Sequence, residues 1–123
     1  MTRINFAVDG IESESVAPAV AQIGPLFTSG LISPGEAPDA ADGQARSLFK
    51  MIGVYLTAAG IDWDDIAKLD FYLADLGHAA AIDGEWRRRF PHTSMRPVRD
   101  DHHRPALPGG ALVAATFLAY RDT

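Results

Sequence analysis

Apolar and polar residues change their period several times along this chain, and each change marks an element. In residues 3–8 they alternate, with Ile4, Phe6 and Val8 on one side, which predicts a first strand. Asp9-Gly10 is a turn signal suited to a hairpin tip. Residues 16–23 carry a weaker strand pattern with Pro18 at an edge, and Gly24-Pro25 breaks it. Residues 26–32 predict another strand, running into a Pro- and Gly-rich loop over 33–39. The period then lengthens. Ala41, Ala45, Leu48, Ile52, Tyr55 and Ala59 recur at helical spacing, with Phe49 and Leu56 widening the stripe, and Gly60 follows as a helix stop.

Beyond Gly60, Asp62-Trp63-Asp64-Asp65 reads as a turn, and Leu69, Phe71 and Leu73 alternate with Lys68, Asp70 and Tyr72 as a strand. Asp75 is placed to cap a second helix with Ala79, Ile82, Trp86 and Phe90 on one face, ended by Pro91. Two more strands are predicted, over 98–104 and 111–120, separated by the turn Pro108-Gly109-Gly110. Strands, helix, strand, helix and two strands make an α+β layer, a sheet with both helices on one face. No third helix is left to cover the other face, so oligomerisation is the simplest cover.

Composition narrows the partners. Apolar residues make up 47% and charged residues 22% of the 123, which are ordinary globular values, and the length suits one domain over residues 1–123. A net charge of −5 argues against nucleic acid, whose backbone needs a basic face. The one basic run, Arg87-Arg88-Arg89, reads as a solvated helix face. There is no cysteine, which excludes disulfides, thiolate metal sites and cysteine nucleophiles. No apolar stretch approaches the roughly 20 residues of a membrane helix, and no signal peptide is visible, so a cytoplasmic protein without a membrane partner is expected.

Candidate chemistry concentrates in Arg99-Asp100-Asp101-His102-His103-Arg104. On an extended segment, residues two apart share a face, which groups Arg99, Asp101 and His103 and leaves His102 and Arg104 toward the helices. Arg99 offers a permanently charged planar fork for a carboxylate, or else a structural ion pair with a neighbouring acid. Asp101 beside it can serve as a water-orienting base, or can neutralise it. His103 is a candidate acid/base, or a plain solvated histidine. Adjacent strand residues face opposite ways, so the two histidines and two aspartates cannot converge on one ion, and no metal is expected.

Several segments in order resemble the RidA (YjgF-like) family of small enamine/imine deaminases: Phe27-Thr28-Ser29-Gly30, Gln44-Ala45-Arg46, Ala58-Ala59-Gly60, Phe71-Tyr72-Leu73-Ala74-Asp75, Arg96-Pro97-Val98-Arg99 and Leu107-Pro108-Gly109-Gly110-Ala111-Leu112-Val113. The resemblance implies a chorismate-mutase-like fold assembled as a homotrimeric barrel, with helices outside and clefts between subunits. It implies no cofactor. By resemblance Arg99 binds the carboxylate of a small substrate, while main-chain groups at Ser29 and Gly30 line the cleft. The family's helix-two asparagine falls on Asp83. Three departures stand out. The family's water-orienting glutamate falls on Thr116, its cleft tyrosine has no counterpart in Val16-Ala17-Pro18, and Asp101 stands where relatives often carry cysteine. Thr116 and Asp101 are thus the candidates for holding the water. The expected function is an imine/enamine hydrolase of deaminase type. The alternatives are a non-catalytic trimer that binds a 2-keto acid or small anion, and a weak ribonuclease.

Overall fold

The computed structural model describes residues 1–8 and 17–122. Its strands are β1 (Arg3–Phe6), β2 (Val20–Ile23), β3 (Leu26–Ser29), β4 (Ile66–Leu73), β5 (Val98–His103) and β6 (Val113–Tyr120), with helices α1 (Ala41–Ala59) and α2 (Ala79–Arg89). They form one mixed sheet in the order β1-β2-β3-β6-β4-β5. Among the described residues only β4 and β5 run parallel, joined across α2, while the other pairs are antiparallel. The last strand of the chain therefore lies inside the sheet, which accounts for its nearly unbroken apolar sequence.

Helix α1 follows the predicted stripe, burying Ala45, Leu48, Ile52, Tyr55, Leu56 and Ala59. Gly60 ends it in the left-handed conformation (φ 71°), its N–H donating to the carbonyls of Leu56 and Thr57. Helix α2 buries Ile82 and Trp86. Asp75 does not cap α2 directly. Its Oδ1 accepts from the Gly77 N–H at 2.7 Å, capping the short 3-10 turn Leu76–His78 that leads into the helix. The predicted Asp9-Gly10 turn and the Val16 start of the second strand lie outside the described residues.

The strand predicted over 26–32 is shorter than its apolar pattern. After Thr28↔Leu118 the ladder between β3 and β6 lapses, and the Ser29 hydroxyl accepts the Phe117 N–H at 2.8 Å in place of a main-chain carbonyl. Gly30 turns instead to the Ala19 carbonyl, and pairing with β6 resumes at Ile32↔Ala115.

Both helices pack on one face of the sheet, around a closed circuit of five rings. Phe49 of α1 stacks on Trp63 and Phe71 (5.9 and 5.7 Å), Phe71 meets Trp86 of α2 (6.1 Å), and Trp86 and Trp63 each meet Phe90 (4.9 and 5.9 Å). Each such pair adds about 0.5–1.5 kcal/mol beyond its area burial. Among the described residues the opposite face carries no helix. There Ile23, Leu26, Val98, Leu118 and Tyr120 are 43–60% exposed, and the register places them on one side of the sheet.

Candidate active site

The parallel register of β4 and β5 decides which residues meet. Leu69, Phe71 and Leu73 point into the helix-covered face, and they pair with Arg99, Asp101 and His103. The sequence reading grouped these three residues correctly but assigned the wrong face. It is Arg99, Asp101 and His103 that lie on the helix side of the sheet, Arg99 against Asp83 and Trp86 of α2, while His102 turns to the open face. Polar side chains survive there because α2 supplies the compensating group.

That compensation is specific. The Arg99 Nε and Nη2 donate to Oδ1 and Oδ2 of Asp101 at 2.9 and 3.0 Å, a bidentate pair. Its Nη1 lies 2.8 Å from Oδ1 of Asp83 on α2. The guanidinium also lies 5.3 Å from the ring centres of both Phe71 and Trp86. Burial opposes the charge on Arg99, but the hydrogen bonds and charges of Asp101 and Asp83 outweigh it and hold its pKa above the ordinary arginine value. Asp83, a family-derived expectation, thus joins Arg99 and Asp101 in one cluster. His103 lies at the end of β5, its Nε2 donating to the Ala74 carbonyl at 3.2 Å. Arg96, the first arginine of the Arg-Pro-Val-Arg segment, has a different task, donating to the Phe90 carbonyl at the end of α2 (2.9 Å).

Other expected site residues are not brought to this cluster within one chain. Ser29 ends β3 and Gly30 follows it, three strand spacings from β5, or about 14 Å at about 4.8 Å per spacing. The Ser29 hydroxyl is engaged with Phe117. Thr116 pairs with Asp70 and points to the open face, opposite Arg99. A separate cleft of about 500 Å³ opens between the loop at Ser33, Pro34 and Gly35 and the turn Pro108–Gly110, with Gln44 in its wall. None of the expected site residues lines it.

The open face holds a second cluster that the sequence reading missed. Donor atoms of Asp70, Asp100 and His102 lie within 4.8 Å of one another, with His102 Nε2 2.8 Å from Asp70 and its ring stacked on Tyr72. As expected, Asp101 and His103 face away from Asp100 and His102; the third member came from β4. Only the parallel pairing Asp70↔Asp100 could have signalled it. A cation of the chain already sits there, since Lys68 Nζ is 3.0 Å from Asp100 and 3.4 Å from Asp70. The hydrogen bond to Asp100, followed by the Asp70 charge, raises the Lys68 pKa.

The fold is that of small α+β proteins with a six-stranded mixed sheet and two helices on one face. Residues 13–120 match the family described as Endoribonuclease L-PSP. The chain belongs to this family, the YjgF/YER057c/UK114 or RidA group. Among solved structures it is similar to Rv2704 of Mycobacterium tuberculosis, described as a member of that family (24% identity, TM-score 0.83, covering 98% of this chain and 100% of that one). It is also similar to the YjgF gene product of Escherichia coli (21%, TM-score 0.84, 96% and 98%), and to Escherichia coli TdcF with bound serine (23%, TM-score 0.77, 85% and 87%). At these identities the structures establish the fold alone. No curated protein matches the chain in sequence. Among the described residues no helix is long and apolar enough to cross a membrane.

Proposed function

We propose that this chain is an imine/enamine hydrolase of deaminase type, acting on a small molecule at clefts between the subunits of a homotrimer. The observation that carries the reading is the Arg99 cluster, a family-matched arginine held beside carboxylates on the edge strand β5. Arg99 holds Asp101 and Asp83 beside the reacting carbon, and His103 borders the cleft. Ser29, Gly30 and Thr116 lie too far away or on the wrong face to join Arg99 within one chain. Their part in the site, through main-chain groups at Ser29 and Gly30 and a water held by Thr116, therefore requires a neighbouring chain. The exposed apolar side chains of the open face supply the reason to associate.

Two measurements test this. Light scattering should give a mass near three chains of 13.2 kDa, and Leu118→Asp on the open face should lower it. A mass of one chain removes the shared cleft. Imines generated in place by an oxidase should disappear faster with the protein present, and Arg99→Ala should abolish the acceleration.

A second reading, a non-catalytic binder of small metabolites, is favoured by one observation: every charge in the cluster already has a partner. Such a binder would take up a ligand without turnover. The family's printed description also names an endoribonuclease. Against RNA stand the net charge of −5 and the engagement of two of the three arginines of the basic run, Arg88 paired to Glu85 and Arg89 over the Trp63 ring.

A further inference from the structure

A guanidinium has five N–H donors, and the edge formed by Nε and Nη2 is the one best matched to a carboxylate. In Arg99 that edge is filled by Asp101, and Nη1 points one of its two N–H groups at Asp83, so three of the five donors are engaged by the two acids. The faces of the group are turned to Phe71 and Trp86, and the side chain is only 15% exposed. The cluster holds one positive and two negative charges, so it is net negative. An incoming carboxylate would have to expel an acid tethered to the same fold, and would otherwise add a third negative charge. A small cation meets the opposite situation.

We propose that Asp101, with Asp83, occupies the anion clamp of Arg99 from within, so that the cleft selects a carboxylate-free iminium and rejects 2-imino acids. This rests on the hydrolase reading above and names its substrate class. It also makes Asp101 the residue that determines specificity. The chemistry balances without any further reactant. The oxygen of water bonds to the iminium carbon while one of its protons passes to the Asp83 carboxylate, which the Asp101 variants keep. That proton moves on to the nitrogen and the C–N bond breaks. The remaining hydroxyl proton follows onto the departing ammonia, so iminium and water give a carbonyl compound and ammonium.

The test uses the assembled protein and two imine generators. A flavin amine oxidase releases carboxylate-free imines, and an amino-acid oxidase releases 2-imino acids, with semicarbazide trapping whatever is not hydrolysed. The wild type should suppress trapping of the first kind only. Asp101→Ala should reverse the preference, and calorimetry should show it binding 2-oxobutanoate at least about tenfold more tightly than the wild type, a shift of about 1.4 kcal/mol. Asp101→Asn, of nearly the same shape, should show the same gain in milder form and guards against a folding defect in the alanine variant.

A wild type that hydrolyses 2-imino acids as fast as carboxylate-free imines, with Arg99→Ala inactive, overturns the proposal and leaves the hydrolase reading standing. A wild type that hydrolyses neither overturns both. Keto-acid binding by Asp101→Ala would then leave the Arg99 cleft as a binding site, and no binding by any variant would leave Arg99 a purely structural residue.

Discussion

Arg99→Met keeps much of the side chain's apolar stem and removes its charge, which makes it the sharpest probe of how α2 is fastened to β5. A charge-assisted bidentate hydrogen bond such as that to Asp101, whose side chain is 27% exposed, contributes about 1.5–3 kcal/mol. The pair with Asp83, 41% exposed, is largely screened by water and adds about 0.2–1 kcal/mol. Contact with Phe71 and Trp86 adds about 0.5–1 kcal/mol each as cation–π attraction, which methionine partly restores through sulfur–ring contacts of about 0.3–1.5 kcal/mol. The expected net loss is about 2–3 kcal/mol. Urea unfolding at fixed protein concentration measures it, since association contributes to apparent stability. Double-mutant cycles with Asp101→Asn and Asp83→Asn then divide it. Arg99 should couple to Asp101 by more than about 1.5 kcal/mol and to Asp83 by less than about 1 kcal/mol. A loss below about 0.5 kcal/mol, typical of unremarkable surface changes, or the reverse order of couplings, would refute the reasoning.

Two other perturbations follow from features outside the cluster. Ser29→Ala leaves the N–H of buried Phe117 without its acceptor and should cost about 1–3 kcal/mol; Ser29→Thr should recover most of it in the same urea titration, and an alanine variant as stable as wild type would mean another acceptor takes over. Burial raises the Tyr55 pKa above 10.0, so the folded chain holds that proton more tightly than the unfolded one. The resulting stability is complete below the ordinary tyrosine pKa and is lost as pH rises through the folded value, and Tyr55→Phe should flatten the decline of Tm at alkaline pH.

The parts of the structure legible in the sequence were those governed by local period. Helix α1 declared its stripe, its length and its glycine stop because all three lie within one run of residues. Alternation on β5 likewise grouped Arg99 with Asp101 and His103. What alternation cannot state is which of two faces a group occupies. That was settled by the register Leu69↔Arg99 and by a carboxylate from α2, both contacts between segments far apart in the chain. The early end of β3 was hidden for a related reason, since the hydroxyl that replaces a main-chain acceptor there serves a strand late in the chain. Asp70 escaped notice because its partners, Asp100 and His102, lie on the neighbouring parallel strand.

The five-ring circuit has a practical consequence. Both of the chain's tryptophans belong to it, and each indole lies against a different guanidinium, Trp63 4.6 Å from Arg89 and Trp86 5.3 Å from Arg99. Indole emission responds to nearby charge, so the protein contains its own optical gauge of the Arg99 cluster. Any ligand that exchanges a partner on Arg99 shifts the light from Trp86, while Trp63, read in a Trp86→Phe variant, supplies the baseline.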